Sequence, residues 1–403
     1  MTEPAFPTMD EQRAAGLREV LADRLEKGGA LRSPAWRAAV MAVPRHLFVP
    51  AFFRPADSPR GTLWTPVTPG LVGGVDAWLT EVYSDETLVT QLDGGTHPAD
   101  VGGPVPGDPT SSSTLPSLVV RMLEDLEPQE GERVLEVGTG TGYSTALMCH
   151  RLGSGQVTSV EYDRAAAERA RAAITAAGYA PTLINGDGLL GHQDNAPYDR
   201  LIATCSVRTV PAEWLRQVRP GGTIVTTLSG WLYGSGLVRL NVGDSGTAEG
   251  TFLPGTVSFM IARPQAARPL GDASVLLEQP ADERPARFGP DVLSEWTPQF
   301  IAQLAAPGAQ YLGVSSDGGP MLDHVIDVSG RSFATLLPDG EGGFRVRQGG
   351  PARLWDAVED AIETWQRAGS SPQTAFGLTV TPDRQLVWLG EPDGPSWALP
   401  TDE

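Results

Sequence analysis

The segment VLEVGTGTGYS, residues 134–144, is the sharpest chemical feature of the sequence. A short apolar run leads into Gly138, Gly140 and Gly142, and a helical pattern follows. Glycine is needed there because the turn is tight and a ligand must come close to the backbone. A carboxylate, Glu161, ends the next apolar run nineteen residues after Gly142. An acidic side chain at that place accepts hydrogen bonds from both hydroxyls of a ribose. The spacing is G-x-G-x-G rather than the G-x-G-x-x-G of dinucleotide binders, and Glu136 precedes the first glycine. An acid there suits a cationic ligand better than a pyrophosphate. The pattern points to S-adenosylmethionine, whose sulfonium and ammonium groups are positive, ahead of nicotinamide binding or a bare strand–helix turn. Thr139, Tyr143 and Tyr162 stand beside these residues as further candidate contacts, although a tyrosine in the position of Tyr143 most often packs against the fold. Asp187 and Gly188 in INGDG (184–188) follow a third apolar run, where they could frame an adenine. Asn-Gly and Asp-Gly are also ordinary turn dipeptides.

The elements that must position this loop are legible as an alternation. From Pro116 onward the pattern reads helix, strand (RVLEVG), helix, strand (QVTSVEYD), Ala-rich helix, strand (PTLING), strand (DRLIATC), short helix and strand (TIVTTL). Strands and helices alternating at these lengths predict a doubly wound α/β, Rossmann-like parallel sheet. Two or three strands between residues 231 and 262 are expected to close it with an antiparallel edge. Helices precede it, one with Leu17, Leu21 and Leu25 in register and a second starting at Ser33-Pro34. Residues 43–116 are rich in Pro and Gly and read as surface loops that carry the site. The stretch RPQAARPLGDA (263–273) reads as a linker. Three divisions follow: 1–115 as N-terminal helices and site loops, 116–263 as the cofactor-binding core, and 274–403 as a C-terminal α+β domain. In the last, Leu354, Val358, Ala361, Ile362 and Trp365 form a helical stripe, expected to be core rather than peptide groove.

Composition narrows the function. The 403 residues are 40% hydrophobic and 20% charged, and 49 acids against 30 bases give a net charge of −19. Such a surface repels phosphate backbones and anionic membranes. The two cysteines, Cys149 and Cys205, make no disulfide framework, and five scattered histidines have no metal-ligand spacing. No basic-then-apolar leader or membrane-length apolar run occurs, so the expected location is cytoplasmic.

Several motifs in order resemble the protein L-isoaspartyl O-methyltransferases: VPRHLFVP (43–50), YSD (83–85), a hydroxyl-rich run ending at Pro116, LEVGTGTGY (135–143), GDG (186–188) and PYDRLIATC (197–205). The resemblance covers roughly residues 40–263. It implies a carboxyl O-methyltransferase using S-adenosylmethionine. The ester formed is attacked by the following backbone amide to give a succinimide. It makes Glu161 the ribose ligand, places Gly138 and Gly140 along the methionine part, and puts Asp187 and Gly188 near adenine. In the hydroxyl run the family reads Thr-Ile-Ser, one residue, then Pro. Here Ser112, Ser113 and Thr114 precede Leu115-Pro116, so the two outer hydroxyls are exchanged.

Carboxylate oxygen is already a competent nucleophile, so the site must chiefly position it in a dry pocket. Hydroxyls that hold one oxygen and aim the other suffice, which selects Ser112 and Thr114, with Ser113 and Asp85 beside them; N-capping of the next helix is the alternative use of the run. Arg45 could neutralise an acidic substrate, but packing is the favoured role for that segment. The longer connection at 93–110 and about 140 extra C-terminal residues resemble a subgroup that matures ribosomally made peptides: graspetides, lanthipeptides and lasso peptides. There one aspartate of a cyclised precursor is esterified towards aspartimide or isoaspartate. The expected partner is therefore a precursor peptide, with neither nucleic acid nor membrane. The alternatives are general repair of isoaspartate, a nucleic-acid methyltransferase, and a non-catalytic peptide escort.

Overall fold

The computed structural model describes residues 8–58, 61–70, 73–315 and 321–400. The chain forms two compact units: residues 1–204 with 216–225, and residues 205–215 with 226–403. The division falls within the strands Tyr198–Val207 and Val218–Ser229, not at the proline-rich stretch 263–273. Among the described residues no helix is long and apolar enough to cross a membrane.

In the first unit, helices Thr8–Lys27 and Pro34–Ala42 come first. Ser33 caps the second as expected, its hydroxyl accepting from the Trp36 N–H at 3.4 Å. The parallel sheet is also as expected. Val134–Val137 lies between Val157–Glu161 and Tyr198–Val207, and Thr182–Asn185 pairs with the outer side of Val157–Glu161. These strands are near-continuous hydrophobic runs because both faces are covered; Leu135, Leu201 and Ala203 are wholly buried.

Residues 43–116 depart from the loop expectation. Four of their segments form an antiparallel sheet in the order Gly61–Val67, Phe52–Ser58, Leu88–Leu92, Pro109–Ser113. The prolines conceal it. Pro66 lies on the outermost strand, and Pro55 lies beyond Phe53, which pairs with Val89. Prolines at such places cost the sheet no ladder bond.

In the second unit, Ser235–Val242 pairs with Ala248–Phe252 as expected, but this is not a sheet edge. Phe376–Val380 continues the sheet in the register Ala248↔Val380, followed by Gln385–Leu389 and Ser396–Ala398. Residues 274–403 are therefore not a domain closed on itself, because their last three strands belong to the sheet that contains Ser235–Val242 and Ala248–Phe252. The stretch at 263–273 is likewise tied down: Gln265 accepts from the Arg208 N–H at 2.6 Å and from the Trp231 indole at 3.0 Å. A separate five-stranded antiparallel sheet runs Ala281–Pro285, Phe344–Gly349, Ser332–Pro338, Met321–Asp327, Gln310–Ser315. Helix Leu354–Arg367 buries Leu354, Val358, Ala361 and Ile362, so the stripe is core.

Candidate active site

The hydroxyl run is sorted by strand geometry as far as Ser113, where the strand Pro109–Ser113 ends, and Thr114 follows it. Successive side chains of a strand point to opposite faces. The Ser111 hydroxyl accepts from Thr90 at 3.3 Å and the Ser113 hydroxyl from Arg45 at 3.3 Å. Ser112 and Thr114 are half-buried, and their hydroxyls meet no partner among the described residues. The two candidates for holding an acceptor are thus the two left open, while Ser113 is committed to the fold. The loop lies alongside: a Cβ built on Gly140 would stand 3.7 Å from the Ser112 carbonyl oxygen.

The glycines of the loop divide by role. Gly138, Gly140 and Gly142 all have positive φ. A side chain at Gly142 would strike Ile174 at 2.9 Å, so this glycine admits helix Arg164–Ala176 rather than a ligand. Gly140 meets only the distant Ser112 oxygen and leaves open space. The loop amides are largely consumed within the fold: Gly138 donates to Val160 at 2.8 Å and Gly142 to Thr139 at 2.8 Å. The Gly140 N–H faces the Glu161 carboxylate at 2.8 Å, and the other oxygen of Glu161 accepts from the Asp163 N–H at 2.9 Å. A pyrophosphate needs converging free amides. This loop instead turns a carboxylate to its mouth, which fits a ribose-bearing cation.

Tyr162 follows Glu161 and is 50% exposed. Asp187 caps the turn Gly188–Leu190 through the Leu189 N–H at 2.9 Å, using one carboxylate oxygen. Gly188 is required by packing, since a Cβ there would lie 2.4 Å from Val137.

Three sequence candidates for the cofactor site have their side chains engaged within the fold. Glu136 is 0% exposed, its carboxylate held by the hydroxyls of Ser144, Thr145 and Ser159, so it braces the strand. Burial pushes its pKa up, against those hydrogen bonds. The Thr139 hydroxyl is paired with Ser159 at 2.6 Å, leaving only its backbone at the loop. Tyr143 is buried edge-on to Phe48, ring centroids 5.9 Å apart, in the packing role. Asp85 is also engaged: it accepts from the Ser117 N–H at 2.8 Å at the start of helix Pro116–Leu126. Arg45 is completely buried and cannot meet a substrate directly. Neither cysteine enters the site; burial pushes the Cys149 thiol up to about 12.

Two residues that sequence reasoning passed over belong to it. Thr204, one residue past the end of the pairing with Val134–Val137, donates to the Gly138 carbonyl at 2.5 Å and fixes the loop's entry. Gln91 joins the hydroxyl sheet to the turn after Glu161, donating to Asp163 at 3.2 Å and accepting from Thr110 at 2.9 Å. Its signal was a polar residue inside the fully buried run LVTQL.

Known proteins agree with this geometry. The family model for protein-L-isoaspartate(D-aspartate) O-methyltransferase matches residues 96–231. A protein-L-isoaspartate O-methyltransferase of Archaeoglobus fulgidus is 33% identical over 210 residues, 52% of this chain and 76% of the relative. That of Ignicoccus hospitalis is 30% identical over 219 residues, 54% and 82% of the two chains. A solved protein-L-isoaspartate O-methyltransferase shares the fold with a TM-score of 0.53 at 23% identity, over 93% of this chain and 100% of that one. The C-terminal region therefore has a fold counterpart there. From the loop, its carboxylate and these likenesses together, the chain belongs to the protein-L-isoaspartate O-methyltransferase family and is an S-adenosylmethionine-dependent methyltransferase.

Proposed function

We propose that this enzyme esterifies an aspartate side-chain carboxylate in a ribosomally made, cyclised precursor peptide. The observation that carries carboxyl transfer is the open pair Ser112 and Thr114 beside the Gly140 loop. Bound S-adenosylmethionine supplies an electrophilic methyl on a sulfonium. The protein's part is positional. Ser112 and Thr114 donate to one acceptor oxygen and leave the other aimed at the methyl, with no base required. A new O–CH3 bond forms as the S–CH3 bond breaks. In the ester, the next backbone amide nitrogen attacks the carbonyl and expels methanol, giving a succinimide one water lighter than the starting acid. Hydrolysis then yields aspartate or isoaspartate.

The precursor peptide as acceptor is supported by the exchanged hydroxyls and the long 93–110 connection. The acidic surface, at net charge −19, disfavours nucleic acid as the alternative acceptor. The second reading, general repair of isoaspartate, fits the protein-L-isoaspartate O-methyltransferases to which the chain is similar. Mass spectrometry with S-adenosylmethionine and two substrates separates the readings. A cyclised precursor that gains a methyl and then ends one water lighter, with a generic isoaspartyl peptide untouched, supports maturation. Methylation of the isoaspartyl peptide alone overturns it in favour of repair.

A further inference from the structure

Arg45 is 0% exposed and no carboxylate forms an ion pair with it among the described residues. A buried charge in that state is expensive unless its hydrogen bonds are met. Here main-chain oxygens meet them. One terminal nitrogen donates to the carbonyls of Val82 and Ser84, each at 2.9 Å. The other reaches the carbonyls of Glu86 at 3.3 Å, Ser113 at 3.4 Å and Thr114 at 3.2 Å, and the Ser113 hydroxyl at 3.3 Å. Nε has no partner, and the guanidinium lies 5.7 Å from the Tyr143 ring centroid. Asp85 acts on it through space, but its own carboxylate is turned to the Ser117 N–H. Burial lowers the guanidinium to about 10, so it stays charged at neutral pH.

One side chain thus ties the 82–86 turn to the end of the hydroxyl strand. It also places a positive charge, with no anion in contact, directly behind the open hydroxyls. We propose that Arg45 is a positioning residue that sets the Ser112 and Thr114 hydroxyls through their backbone and makes the acceptor site select an ionised carboxylate over a neutral group. This rests on Ser112 and Thr114 being the acceptor site.

The test uses the full chain saturated with S-adenosylhomocysteine and two peptides: one carrying an isoaspartyl residue, the other with its acceptor carboxylate replaced by carboxamide. If wild type binds neither by calorimetry, the same pair is made from the cyclised precursor. Wild type is expected to bind the carboxylate peptide about tenfold or more tightly than the carboxamide, as an opposite charge at short range favours the ionised form. Arg45→Met should collapse that ratio to within about twofold, while Arg45→Lys keeps most of it. Arg45→Lys should still lose about a hundredfold in kcat, because one ammonium cannot hold both segments. An Arg45→Met ratio equal to wild type, with both peptides weakened alike, overturns the inference and leaves a structural role. Where Arg45→Met fails to fold, Arg45→Gln carries the same comparison. If Ser112→Ala with Thr114→Val leaves methylation and both affinities unchanged, it is the acceptor assignment that fails, whatever Arg45 does.

Discussion

Each unit of the molecule hides carboxylates and guanidinium groups from water, and each solves the problem differently. In the second unit Glu359 is wholly buried and paired directly with Arg284 at 2.6 Å and Arg287 at 3.0 Å. Arg287 in turn reaches Asp360 and Glu363, and Asp360 foremost holds its guanidinium above the ordinary value. In the first unit Glu136 is shared among three hydroxyls and Arg45 among carbonyls, with no ion pair at either. Paired charges cancel and serve packing. Charges satisfied by neutral dipoles keep their fields, which act strongly in a low-dielectric interior. The difference teaches where to look for function: in the unit where burial has not been accompanied by neutralisation.

The largest expected effect breaks the paired network. Glu359→Ala removes the buried carboxylate that Arg284 and Arg287 share and should cost about 3 kcal/mol in urea unfolding, towards the low end because Asp356, Asp360 and Glu363 still pair the two guanidinium groups. An unchanged midpoint would mean the network contributes nothing and the contrast is empty. Next comes the hydroxyl pair. Ser112→Ala with Thr114→Val should lower the rate of methyl transfer about a hundredfold, as loss of aligned donors does elsewhere. Ser111→Ala should change it less than about threefold, because that hydroxyl serves the sheet. Equal losses would erase the sorting by strand face. The smallest effect sharpens the account of Glu136. Its folded pKa is raised by burial, so the stability it contributes is present below about pH 4.5 and lost as pH rises through the folded value. Glu136→Gln cannot ionise and escapes that loss. The melting temperature of wild type should fall by a few degrees relative to the variant as pH rises above about 4.5. A constant gap would show that the three hydroxyls fully compensate the charge.

What the sequence made legible were features with a local cause. The Ser33 cap, the alternation from Pro116 onward, the apolar stripe near Trp365 and the Gly138–Gly142 turn all follow from period, capping or glycine geometry. What it concealed depends on partners far along the chain. Nothing local says that Glu136 points inward to Ser159 or that Arg45 reaches Thr114, sixty-nine residues away. The edge prolines suppress the alternating pattern of the 52–113 sheet, and the final strands find Ala248–Phe252 only once tertiary structure exists. The site is an intermediate case. Glu161 and the glycines could be named from spacing, but which hydroxyls of a run of four stay open is decided by the pleat.

That run has a consequence for ancestry. Gaining or losing one residue in a strand turns every following side chain to the opposite face. For most functional strands such an event is lethal to the site. With Thr110 before it, the run Ser111 to Thr114 bears a hydroxyl at every position, so a slip by one would still leave a hydroxyl at each place. The repetition makes this strand tolerant of small insertions and deletions. Lineages carrying it can try new connections on either side, such as the long one at 93–110, without first losing the machinery those connections serve.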